Sequence, residues 1–419
     1  MPAMPVAVPY ADQRRRSLSL RIRSWIIALL LIAGVYAPTS VDEVISKELL
    51  FASSGLLFVV LLGLLMHRHG SLGRVSLVCA AVIVFDVLIC TLLSPFTEFA
   101  YGAVRSFALL ALLYCVRVKD IPLNRWTRRL FLLANFLNIA CALAIMAQIP
   151  EVNRFFIENY AAAYQELVQY MLDERKPVLT FASHALAGFF FYVFFYLNLE
   201  SYRRGTGRTH LVLAFLYVAL MICLRSVSGY AFAVFAMFHL TREFFWNRSV
   251  LTAALAGLML VGGAAFAATQ IGILDFQQEF AETLTSESNG LNGRYSSAGV
   301  LTRNLNFLAE YPFSPIGLGF SDSLFYGDSG PVEYWIRGSF PLVIATYLGL
   351  YLFLRDNLCS RKQARLLFAV FLAFEVGYSN LHYLRTLFLL PFIVVYLNGI
   401  GQTAAVARPR LRYREAPAC

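Results

Sequence analysis

Long apolar runs separated by short polar breaks recur along almost the whole chain. They predict helices over 24–38, 49–66, 75–94, 99–116, 130–149, 179–199, 210–226, 228–245, 250–274, 339–354, 364–381 and 384–400. Most of these runs have the roughly 17–25 mostly apolar residues needed to cross a hydrocarbon core. The shortest break is Ser226-Val227-Ser228-Gly229. The two long ones are Pro150–Val178 and Asp275–Arg337. The pattern predicts an all-α polytopic membrane protein with about twelve transmembrane helices and two long outer loops.

Composition agrees. The chain is 59% apolar and only 14% charged, against roughly 25% charged residues in a soluble domain. No large soluble domain is expected. The net charge of +10 is explained by where the cations lie. With the N-terminus inside and sides alternating, the inner segments hold 25 of the 35 Lys and Arg, while the outer segments hold ten with 17 of the 25 acids. This is the positive-inside pattern. Both termini are then cytoplasmic, and the basic excess requires no nucleic acid. The seven cysteines show no metal-ligand spacing and none falls in an outer loop, so no disulfide framework is expected.

The expected organisation is a cytoplasmic tail (1–23), N-terminal membrane helices (24–149), a first periplasmic loop (150–178), central membrane helices (179–274), a large periplasmic loop (275–338), C-terminal membrane helices (339–400) and a cytoplasmic tail (401–419). The basic start followed by an apolar run also describes a signal peptide; the dense series of later spans favours a retained first helix. No internal repeat is visible. Asn247-Arg248-Ser249 matches a glycosylation sequon but falls on the inner side.

In the first long loop, Phe156, Tyr160, Tyr164, Leu167 and Met171 recur at helical spacing, which predicts an amphipathic helix on the membrane surface or over a cavity. Tyr160 and Tyr164 can stack on sugar rings, though Tyr is also an ordinary interfacial residue. In the second loop a short helix is expected over 292–310, carrying Arg294 and Arg303. Pro312, Pro315, Gly317 and Gly319 then force turns. A further helix starts at Pro331, with Glu333 where a capping box places an acid. Asp328 and Ser329 precede that start, where free N–H groups face an anion.

Arginine within a span costs about 2.5–3.5 kcal/mol on insertion scales, and the positive-inside rule does not account for arginine on the outer half. Arg105, Arg225 and Arg385 are such residues. Arg294, Arg303 and Arg337 flank the same face, and Arg175-Lys176 precedes the sixth span. Together they point to an anionic ligand, with phosphate favoured because its oxygens match the guanidinium fork. The competing reading for each is snorkelling or pairing with an outer acid. Asp86 and Glu375 lie inside spans and read as paired or neutral structural groups. His184 and His382, near outer span ends, are candidate bases. No Walker motif, metal-ligand cluster or DxD-like pair occurs, so no metal or cofactor is expected.

Three segments carry a resemblance: Arg175-Lys176-Pro177 through His184, Leu224-Arg225-Ser226 through Gly229, and Pro315-Ile316-Gly317-Leu318-Gly319 followed by Asp328-Ser329-Gly330 and Gly338. In order and spacing the chain resembles the O-antigen polymerase and ligase superfamily of the bacterial inner membrane. The resemblance implies glycosyl transfer between undecaprenyl-diphosphate-linked glycans at the periplasmic face, with the lipid diphosphate as leaving group. Arg225, Arg105, Arg294, Arg303 and Arg385 would then hold the diphosphate. Arg175, Lys176, Arg337, Ser329, Tyr160 and Tyr164 would contact substrate. Asp328 is the first candidate base, followed by Glu333, Asp322 and His184. Ligases of this superfamily carry a His before the later Gly; 275–337 has none, which favours a polymerase. A chain-length regulator and a flippase of the same pathway are implied partners. The alternatives are an O-antigen ligase or protein O-oligosaccharyltransferase, and, in another class, a transporter or lipid flippase.

Overall fold

The computed structural model describes residues 10–38, 47–66, 73–94, 101–161, 165–246, 299–310, 317, 319–320, 329–381 and 383–407. These residues form helices α1 (Tyr10–Tyr36), α2 (Lys47–Met66), α3 (Arg74–Leu92), α4 (Tyr101–Tyr114), α5 (Arg125–Met146), α6 (Pro150–Tyr160), α7 (Gln165–Asp173), α8 (His184–Arg203), α9 (Arg208–Cys223), α10 (Val227–Trp246), α11 (Val300–Glu310), α12 (Gly330–Asn357), α13 (Arg361–Glu375) and α14 (Leu384–Ala407). A 3-10 turn, Leu179–Phe181, precedes α8. Among the described residues there is no strand. A helix overlies each predicted span except 250–274, which lies outside the described residues.

Several helices start where side-chain caps stand. Asn124 accepts from Thr127 N at 2.9 Å to start α5, Ser183 from Ala185 N at 3.3 Å to start α8, and Ser360 from Gln363 N at 3.4 Å to start α13. Each cap satisfies an N–H that the helix itself leaves open.

Arg74–Leu92, Arg125–Met146, Gly330–Asn357 and Leu384–Gly401 are long and apolar enough to cross a membrane, and shorter apolar helices accompany them. This is the architecture of a helical membrane protein. Burial separates inner from outer helices. In α8 every residue from Ala185 to Ser201 is buried, and 89% of the apolar window of α14 is buried against 33% of that of α3. Helices apolar all round belong in the interior. α3 instead turns Val75, Val78, Phe85 and Leu88 outward, and α5 turns Trp126, Leu133 and Phe136. Apolar faces of this size suit lipid.

α1 packs on α14, α3 on α12 and α4, and α8 on α9 and α10. Contacts at the helix termini define two ends. At the C-terminal end of α12, Asn357 accepts from Val118 N at 2.6 Å, Asn398 of α14 donates to Asn357 O at 2.8 Å, and Gln363 of α13 donates to Glu200 of α8 at 2.9 Å. At the N-terminal end of α12 lie the end of α3, the end of α13 and the start of α14, together with the starts of α8 and α10.

Two expectations are corrected. The single amphipathic helix across the first long loop is two helices, α6 and α7. The break between them shifts the buried stripe of α7 to Val168, Met171 and Leu172 and leaves Leu167 exposed. Cys359 is disulfide-bonded, so the cysteines are not all free. Spacing and sidedness ruled out a framework of bonds but said nothing of one pair.

Candidate functional site

α12 is not continuous. Gly338 (φ −131°, ψ 15°) and Ser339 (φ 58°, ψ −163°) are non-helical, and Pro341 begins the next turn. A break of this kind frees carbonyls that must find other donors. Gly319 N–H donates to Arg337 O at 3.0 Å. The sequence permits this approach because glycines stand at each contact. A Cβ on Gly317 would come within 2.1 Å of Arg337 O, and one on Gly338 within 1.9 Å of Asp86 Oδ2 on α3. Gly319 itself has φ +90°, a conformation L side chains rarely adopt. The Gly317–Gly319 segment and the later Gly338, chosen from sequence as one motif, thus meet at one point.

Beside the break, Glu333 and Arg337 form an ion pair, Arg337 Nε to Glu333 Oε1 at 2.9 Å, with both side chains less than a tenth exposed. The Arg337 guanidinium lies 5.7 Å from the Phe320 ring. Phe320 packs on Phe107, which also meets Tyr334. This geometry corrects two expectations. Glu333 does not complete a capping box, and Ser329 makes no side-chain cap. As a base, Glu333 is already engaged by Arg337 and sealed from solvent.

Glu375, at the end of α13, accepts from Asn380 N at 2.6 Å, Leu381 N at 2.7 Å and Tyr347 OH at 3.1 Å. Gly330 presses against it; a Cβ there would stand 1.8 Å from Oε2. Asp86 and Glu375 therefore flank the first half of α12, which itself carries Glu333. Sequence reasoning singled out the two in-span acids but not Tyr334 or Tyr347, whose rings pack at 5.8 Å beside Glu375. A tyrosine in an apolar run carries no sequence signal of such a partner.

A second cluster stands at the same end. Arg225 occupies the turn between α9 and α10 with φ 45°. Gly229 N donates to Ser226 Oγ at 3.1 Å within the turn. Gly229 lies against Gly188 of α8, four residues after His184, so glycine on both helices permits close approach. Lys176 pairs with Glu174 at 2.5 Å and stands 5.6 Å from the Tyr170 ring. Burial opposes ionisation of Glu174, yet hydrogen bonds from Lys176 and Tyr170, with the charges of Lys176 and Arg225, hold its carboxyl below the ordinary range. Arg225 thus acts electrostatically on the Lys176–Glu174 pair. Arg175 is exposed and takes φ 59° just past α7, where its N–H closes on Leu172 O. Non-glycine residues at positive φ mark constrained positions. Arg175, Arg225 and Ser339 lie in or directly beside the segments that carry the resemblance.

The remaining residues separate. Arg385 is buried and donates to Val35 O and Ala37 O, each at 2.7 Å, while Tyr160 OH donates to Tyr36 O at 2.8 Å. The Arg385 guanidinium covers the Tyr160 ring at 5.4 Å. Both were expected to contact substrate; both instead satisfy carbonyls at the end of α1, which the helix leaves unpaired. Arg105 crosses Gly55 of α2 and is half-buried. Arg303 is exposed on α11, which packs against α12. Asp328, Asp322, Arg294, Tyr164 and His382 lie outside the described residues, as do Asn247, Arg248 and Ser249.

No family model, no curated protein and no solved structure matches this chain.

Proposed function

We propose that this chain is a lipid-diphosphate-dependent glycosyltransferase that polymerises undecaprenyl-diphosphate-linked repeat units into O-antigen or exopolysaccharide. In this reading the N-terminal end of α12 faces the periplasm, about twelve helices cross the inner membrane, and both termini are cytoplasmic. The observation that carries it is the Gly319–Arg337 contact at the α12 break. It joins the glycine segment and the later glycine, both chosen from sequence as one motif, at the end of the bundle that also holds Arg225.

The chemistry is displacement at the anomeric carbon. The acceptor hydroxyl oxygen forms the new C–O bond, the bond to the lipid diphosphate breaks, and the hydroxyl proton passes to a base. Charge grows on the departing diphosphate. Arg225, which acts on the neighbouring Lys176–Glu174 pair, supplies fixed positive charge there, and such preorganised electrostatics is often the largest catalytic contribution. Arg337, held by Glu333, orders the break. Asp328, adjacent to Ser329 in the chain, is the base this reading assigns first, and His184, the first residue of α8, the second.

The test is direct. Purified protein in lipid nanodiscs receives lipid-linked repeat units, and products are resolved as a ladder. Laddering that falls about 10²–10³-fold in Arg225→Ala supports the reading; no glycosidic product from authentic donor and acceptor removes it. Transfer to lipid A core or to protein instead would assign the ligase or oligosaccharyltransferase alternative.

One observation favours a second reading. A broken helix beside a buried in-span acid, here Asp86 at Gly338, is also how carriers build a mid-membrane site. Counterflow of labelled lipid-linked sugar into proteoliposomes, without product formation, would select it.

A further inference from the structure

At the C-terminal end of α12 a cavity of about 420 Å³ opens between the start of α3, the segment after α4 and the α12–α13 turn. Arg117, Lys119, Arg355 and Arg361 line it, with Asp356 the one acid. With Asp120 on the rim, four cations less two carboxylates leave two positive charges around a volume within the usual range for ligand sites. Asp356 is taken by Arg355 at 2.8 Å, and Arg117 pairs with Asp120 at 3.4 Å on the rim. Among the described residues Lys119 and Arg361 have no ion-pair partner.

The walls are built rather than incidental. Asn357 accepts from Val118 N at 2.6 Å and donates to Val116 O at 3.3 Å, which holds the loop bearing Arg117 and Lys119 against the end of α12. Tyr114 OH donates to Thr346 O at 2.6 Å beneath it. α3, whose N-cap Gly73 offers no side chain, and α13 both begin at this cavity. Their N-terminal N–H groups and dipoles add to the positive field. Val75 and Val78 of α3, just beyond the rim, are exposed apolar residues, so the cavity lies where an apolar helix face meets charge.

We propose that this cavity binds a phosphate-bearing anion, supplied either as the headgroup of an anionic phospholipid or as a free phosphate compound. Arg361 contributes a fork that matches paired phosphate oxygens, and Lys119 a mobile point charge. Basic pockets between helices at a membrane boundary are suited to such headgroups. The site is independent of the glycosyltransferase reading, because it lies at the other end of the bundle and shares no residue with it.

The full chain in dodecyl maltoside is unfolded thermally with phosphatidylglycerol, cardiolipin, phosphatidylcholine, inorganic phosphate or pyrophosphate added. A saturable rise in midpoint on the order of 2–4 °C is expected with anionic probes. Phosphatidylcholine should give none, and the rise should be lost in the Lys119→Gln/Arg361→Gln double variant. Arg154→Gln, which removes an exposed cation on α6, should respond as wild type. Non-specific stabilisation by phosphate is common to all variants and cancels in the comparison. A shift with the lipids alone assigns the headgroup; a shift with phosphate or pyrophosphate assigns the soluble anion. No shift with any anionic probe, or an undiminished shift in the double variant, overturns the proposal. Should the double variant not fold, a full wild-type response in both single variants overturns it equally.

Discussion

The two ends of the bundle treat charge differently. At the N-terminal end of α12, ionic side chains are turned inward onto backbone. Arg385 holds the carbonyls of Val35 and Ala37, and Glu375 holds the N–H groups of Asn380 and Leu381. At the C-terminal end, Lys119 and Arg361 face a cavity, and the backbone is met chiefly by neutral Asn357 and Asn398, with a longer contact from Arg128 to Gly399 O. A buried charge is costly unless hydrogen-bonded, and at the first end Arg385 and Glu375 are each matched to backbone groups next to a helix end. The comparison teaches that an arginine out of place by the positive-inside rule can serve a helix terminus as well as a ligand. Arg385 serves the end of α1, and Arg225, in an unusual backbone conformation, is the one to which the proposed function assigns a ligand.

The sharpest way to break the comparison is Arg225→Ala. Under the proposed function, a loss of about 10²–10³ in polymerisation rate, with a midpoint near wild type, is expected from a laddering assay beside thermal unfolding. Glu375→Ala comes next. It strips the acceptor from two N–H groups and Tyr347 OH, and should cost about 3 kcal/mol or more at 1–3 kcal/mol per orphaned buried group, read from the unfolding midpoint. Arg385→Ala should cost about 2–4 kcal/mol on the same scale, and Arg385→Lys, with one donor centre for two carbonyls, should recover part of it. A cycle of Glu333→Leu and Arg337→Met should show coupling. Each single variant strands a buried charge and costs about 3 kcal/mol, while the double variant lies close to wild type in stability; lost activity in that stable double variant would mark the pair as positioning.

The smallest effect concerns Glu174. Its folded carboxyl ionises below the ordinary range, so its contribution to stability is present above the unfolded value of about 4.3. That contribution is lost as pH falls through the lower folded value. Glu174→Gln should therefore lower the midpoint at pH 7, and its difference from wild type should shrink as the pH falls into the acid range.

Much of the helix plan was legible because hydropathy is local. The break between the seventh and eighth predicted spans shows it: the structure separates α9 from α10 over Leu224–Ser226, just before the Ser226–Gly229 stretch marked by the sequence, most of which belongs to the first turn of α10. The glycine motif was legible as a group, since glycines spaced among turn residues report close backbone approach. The contacts of Arg385 and Tyr160 were not legible because their partners lie at the end of α1, some 350 residues away from Arg385 along the chain. The phase of α7 was missed because a break at the end of α6 resets the helical stripe.

The order of the described helices followed from the sequence alone. It depends on what each residue costs in hydrocarbon, which neighbours in the chain do not alter. Which charge caps a helix, which supports a break in α12 and which faces the basic cavity was decided only by tertiary packing. Those roles depend on whether a distant carbonyl or N–H has been left unpaired at that point in space, and a linear pattern carries no record of it.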